Sequence, residues 1–134
     1  MTDLLVEIAS LGVSVLIAAA IIRIVSPLVL DFRPNDLHIV KAVVVAEMAS
    51  YVLGAVVALF WRPVDPEVTV VVLLLNLVPG VIIDALSINA IVKDPQGNRM
   101  GLANASLLAI ILAAFGLVIF SVVMIWSKTP LRVW

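Results

Sequence analysis

Apolar residues run almost without interruption along this chain, and polar residues inside the runs are few and regularly placed. Four stretches stand out: Leu4 to Ile22, Ile39 to Trp61, Val68 to Val92 and Leu102 to Trp126, each 19 to 25 residues long. A helix rises about 1.5 Å per residue and the hydrocarbon core of a bilayer is about 30 Å thick, so roughly 20 residues suffice to cross it. The pattern predicts an all-α integral membrane protein: a four-transmembrane-helix bundle with short loops, in a single domain over residues 1–134.

The polar exceptions recur at helical spacing. In the third stretch Asn76, Gly80, Asp84 and Ser87 are separated by four, four and three positions and share one helix face. The second stretch repeats the device with Glu47, Ser50, Gly54 and Ala58, the fourth with Ala105, Ala109, Ala113 and Gly116, and the first with Glu7, Ser10, Ser14 and Ala18. Small residues at this spacing let helix backbones approach closely, which drives association in lipid where no hydrophobic effect acts between helices. A compact bundle with a polar seam inside it is expected.

The third stretch also contains a helix breaker. Pro79 has no amide hydrogen and frees the carbonyl of Leu75, and Gly80 beside it loosens the backbone further. A third helix kinked at Pro79-Gly80 follows, and a full helix break there would expose carbonyl oxygens. With the Asn76 amide and the Asp84 carboxylate, such carbonyls are hard oxygen donors of the kind that hold cations in discontinuous transporter helices. The plainer alternative makes Pro79 a tolerated kink and pairs Asp84 with Lys41 or an amide.

Depth strengthens the functional alternative. Asp84 lies nine residues from Lys93, about 13 Å, and Glu47 lies six from Lys41, about 9 Å, measured from the same membrane face. The two carboxyls are therefore expected near one level. A charge at the bilayer centre costs at least about 2.5 to 3.5 kcal/mol on insertion scales, so intramembrane acids mark ion paths, proton sites or buried pairs. The expected proton or ion path comprises Glu47, Asp84, Asn76, Ser87 and Lys41.

Connections and charge set the topology. "WRPVDPE" and "KDPQGN" carry turn chemistry and make the second and third, and third and fourth, helices antiparallel neighbours. "SPLVLDFRPNDLH" is half apolar and either lies in the interface or continues the first helix past Pro27. "MTDLLVE" lacks the basic leader of a secretory signal, so the first stretch reads as a true helix. Four spans place both termini on one side. Arg23, Arg33, Lys41, Lys93 and Arg99 face the other side, against Arg62, Lys128 and Arg132 with the termini, and this bias puts loops 23–41 and 93–100 in the cytoplasm and the termini outside the cell membrane. Trp61 and Trp126 suit interfacial anchors, and the basic loop residues serve the same purpose more simply than binding anionic headgroups.

Composition then narrows the function. With 64% hydrophobic and 13% charged residues and a mean hydropathy of +1.28, a soluble globule is excluded. Net charge is −1 and no nucleic-acid partner is expected; the partners are the lipid bilayer and either further copies of the chain or other membrane subunits. The absence of cysteine removes thiol chemistry, and the single histidine, His38, cannot supply a bis-histidine site within one chain. No serine nucleophile constellation, zinc motif or nucleotide loop is present, so an enzyme is the weaker expectation and no cofactor beyond a bound proton or monovalent cation is implied. The chain reads as a proton- or cation-translocating transporter or channel unit acting as an oligomer. A non-catalytic subunit of a larger respiratory or antiporter-like complex is the alternative, and a lipid-modifying enzyme ranks third.

Overall fold

A computed structural model describes the backbone of residues 2–60 and 66–128, and the side chains of these except at 58, 66–76, 124, 127 and 128. The chain forms four helices, α1 (Thr2–Val29), α2 (Asp36–Phe60), α3 (Pro66–Ile91) and α4 (Leu102–Lys128). Helix is the outcome lipid demands, because a backbone amide or carbonyl left unpaired in hydrocarbon costs several kcal/mol and a helix satisfies all of them internally. Three helices, α1, α2 and α4, are long and apolar enough to cross a membrane. In α3, itself 26 residues long, the described apolar stretch is Leu77–Ile91. The expected all-α four-helix bundle is the observed architecture. The "WRPVDPE" connection and Trp61 lie mostly outside the described residues.

Each helix packs on the next in the chain, and α1 closes the ring on α4; among the described residues the backbones of the diagonal pairs stay farther apart. The ring is tight at one end. Ile22 of α1, Ile39 and Val43 of α2, Ile88 of α3, Val92 just beyond it and Leu108 of α4 are 0 to 5% exposed and form one cluster at the loop-bearing end. Ala42, Ala46, Ala105 and Ala109 are buried beside them, so small side chains set the close backbone approach there.

The loops lock this end. Asn35 caps α2: its side-chain oxygen accepts from the Leu37 amide at 3.0 Å and its carbonyl from Ile39 at 3.1 Å. The Asn35 amide in turn donates to the Lys93 carbonyl at 3.0 Å, so the α1–α2 link and the α3–α4 turn are joined directly on one face. In the α3–α4 turn, Lys93 and Arg99 bridge across a bend held by Asp94, whose carboxylate accepts from the amides of Gln96 and Asn98 at 3.0 and 2.7 Å. Gly97 and Gly101 adopt φ of +84° and +91°, which a side chain would strain, and this is why the turn carries glycine at both places.

Two helices pass through proline. α1 continues past Pro27 to Val29, resolving the half-apolar link in favour of an extended first helix. Its end is closed by the Ser26 carbonyl, which accepts from the amides of Leu30 and Phe32 at 3.0 and 3.2 Å, with Asp31 at φ +49° turning the chain away. α3 likewise runs as helix through Pro79 and Gly80, so the expected break with an unwound turn is corrected, and the carbonyl the proline leaves without a helical partner is that of Leu75. One proline removes one bond from the ladder, and the turns on either side remain hydrogen-bonded and hold the helix together.

Candidate functional site

Below the tight end the helices separate and flank a half-open cavity of about 760 Å³. On α1 its wall extends from Ser10 to Ile22, twelve residues or about 18 Å along the axis. Its closed end is the bundle core, where Ile22, Ala42, Val43 and Ile88 belong to both. Farther from the core the wall is mostly apolar, with Leu77, Ile119, Phe120 and Val123 beside the Ser10 hydroxyl.

Both intramembrane acids reach this space. Glu47 on α2 and Asp84 on α3 line the cavity, each half-buried. Glu47 is five residues from Ala42 and Asp84 four from Ile88, so the two carboxyls sit about 6 to 8 Å above the closed end. Ser14 of α1 donates to Glu47 Oε1 at 2.8 Å, a bond between helices 33 residues apart in sequence. Among the described residues the polar lining consists of Ser10, Ser14, Glu47 and Asp84, and no basic side chain lines the cavity.

The remaining expected site residues divide. Gly80 lines the cavity and Pro79, one position back, is half-buried beside it. Ser87 is half-buried but off the wall, because three residues beyond Asp84 a helix has turned about 60° short of a full circle. Lys41 is exposed and does not line the cavity, and no ion pair joins it to Asp84 among the described residues. Six residues separate it from Glu47, which rotates its side chain about 120° out of register and leaves it at the loop-bearing end. The Asn76 side chain lies outside the described residues.

The stripe on α2 is the least well matched. Gly54 points nearly the same way as Glu47 yet is exposed, because the helices have parted by that depth, and the wall uses Ala42 and Ala46 instead. Glu7 is exposed and off the wall, as an interfacial acid would be. His38 is half-buried at the start of α2, and no group of three metal-ligating side chains occurs among the described residues. Sequence reasoning placed Ser14 on the inward face of α1 but did not pair it with Glu47. No protein-family model matches this chain, and no characterised protein or solved structure matches it either.

Proposed function

We propose that this chain is a membrane transporter or channel unit that carries protons or monovalent cations through the cavity, with Glu47 and Asp84 as the carriers, and that it works as an oligomer. The observation that supports this reading is the convergence of two carboxyls from neighbouring helices on one apolar cavity that has no basic side chain in its described wall. A bundle held only by packing has no use for two acids at one depth, since each costs several kcal/mol to place in hydrocarbon without a partner. Ser14 supplies Glu47 with a hydrogen-bond donor and fixes its direction, as a site group requires and a lipid-facing group does not.

The oligomer finds support in Gly12 and Gly54. Both are exposed with open space where a Cβ would sit, so among the described residues the close approach that glycine permits is not used. A second copy packed at these positions would use it.

Reconstituted vesicles with an imposed pH or cation gradient test the reading. Asp84→Asn keeps nearly the same shape and removes the charge; the expected result is a folded, assembled protein whose flux has fallen to the level of empty vesicles. Full flux in a folded Asp84→Asn protein removes the transport reading and leaves a scaffold subunit as the better account.

A further inference from the structure

Resting on that reading, we propose that the cavity binds an amphipathic organic cation, its positive charge held between Glu47 and Asp84 and its apolar body against Leu77, Ile119 and Phe120. Three observations lead there, and none is the acid pair alone.

The first is size. Sites for drug-sized ligands enclose about 300 to 1,000 Å³, and this cavity of about 760 Å³ falls within that range. A bare metal cation occupies a small part of it and needs a close shell of oxygens; Ca²⁺, as a gauge of hard cations, gathers about 6 to 8. The described wall offers six side-chain oxygens, and that of Ser10, about 18 Å from Ile22 along α1 where Asp84 is about 6 Å from Ile88 along α3, stands too far along the axis to share one shell with the carboxyls. With α3 helical through Pro79, the proline frees the single carbonyl of Leu75 rather than an unwound turn of them.

The second is sign. Two acids without a described basic partner favour a positive ligand over an anion or a zwitterion, whose negative group would meet only carboxylates and apolar wall. The third is arrangement along the axis. The acids lie near the core end and a wall that is apolar except for the Ser10 hydroxyl extends away from them, so the charge sits at one end of the cavity and most of the hydrophobic surface at the other. Such a ligand brings its own apolar surface and needs no hydration shell, which suits a chamber with so few polar groups.

Exchange follows if a carboxyl holds a proton before the cation arrives, its O–H bond breaking and the proton passing to water. A proton and an organic cation are alternative neutralisers of the same carboxylates, so uptake of a cation is matched by release of a proton, with no bond to carbon made or broken. The cavity would couple movement of the cation in one direction to protons in the other.

Tetraphenylphosphonium is a suitable probe. It is titrated into the full chain in detergent by calorimetry, in weakly buffered solution so that released protons are counted at the same time. The expected result is saturable binding with proton release, at least tenfold weaker in Asp84→Asn and lost in Glu47→Gln/Asp84→Asn. Gly116→Leu gives an independent arm, because it adds bulk to the cavity wall without altering either carboxyl, and it should weaken binding several-fold even if the double variant does not fold. Equal uptake by the wild type and the folded double variant means partition into detergent and overturns the proposal. So does an absence of saturable binding in a protein that still carries protons in an Asp84-dependent way, a result that would leave the proton reading standing.

Discussion

Replacing Ser14 by Ala isolates the contact that gives Glu47 its direction. The bond is 2.8 Å long, joins α1 to α2, and ends on a carboxylate in a cavity whose described wall offers one other hydroxyl donor, Ser10. Hydrogen bonds between membrane helices average about 0.6 kcal/mol and reach about 1.7 kcal/mol. A short bond to an ionisable oxygen with little competition belongs in the upper part of that range, about 1 to 1.7 kcal/mol. The unfolding equilibrium should therefore shift about 5- to 17-fold, at about 1.4 kcal/mol per tenfold. Because Ala at position 14 also removes packing, the assay is a double-mutant cycle of Ser14→Ala, Glu47→Ala and the pair, followed by helix loss in mixed micelles of increasing SDS content. Coupling of about 1 to 1.7 kcal/mol supports the contact. Additivity within about 0.3 to 0.5 kcal/mol, the scatter of independent sites, refutes it.

Two further outcomes test the framework around the site. The Asp94 carboxyl is held below its ordinary value of 3.8, first by the Asn98 amide, with the Asn98 side chain and the amides of Gln96 and Gly97 adding to it. A depressed value means that the contribution to the turn is fully present above 3.8 and is lost as pH falls through the lower, folded-state value. Protection of the Gln96 and Asn98 amides, as exchange relative to the intrinsic rate at each pH, should therefore be lost in acid below about pH 4, and Asp94→Ala should lack that protection at every pH; protection that is insensitive to acid contradicts the assignment. For topology, single cysteines at Asn35 and Gln96 should label from the same side of the membrane, because the Asn35 amide bonds the Lys93 carbonyl next to that turn, while a cysteine at Thr2 should label from the other. Labelling of Asn35 and Gln96 from opposite sides would overturn the arrangement of the bundle.

Helix number and type were legible because lipid leaves the backbone so few options: length and apolar continuity alone identify a spanning helix. Inward direction was legible where polar or small residues marked it, as at Ser10, Ser14 and Ala18 on α1, Gly80 and Asp84 on α3, and Ala113 and Gly116 on α4, all of which line the cavity. It was not legible for apolar residues. Ile88 is buried and Leu86 exposed, yet both would be equally at home in the core or in lipid, so periodicity carries no signal between them. On α2 the pair Ala42 and Ala46, four apart, was the available clue to the wall, and the eye drawn to Gly54 passed over it. The uninterrupted course of α3 was beyond reach for another reason: proline in a membrane helix is compatible with a kink, a break or neither, and neighbouring helices decide which.

That Glu47 and Asp84 face one cavity is the claim on which the functional account depends, and a cross-link measures it directly. The chain has no native cysteine, so Glu47→Cys/Asp84→Cys can be introduced cleanly and treated in membranes with a short bifunctional thiol reagent. Glu47→Cys/Leu86→Cys is the control, since Leu86 is 55% exposed on the opposite side of α3. The account predicts an intramolecular link for the pair at 47 and 84 and none for the pair at 47 and 86. A link between 47 and 86 with none between 47 and 84 would mean that α3 presents Asp84 elsewhere, and the cavity could not be the path.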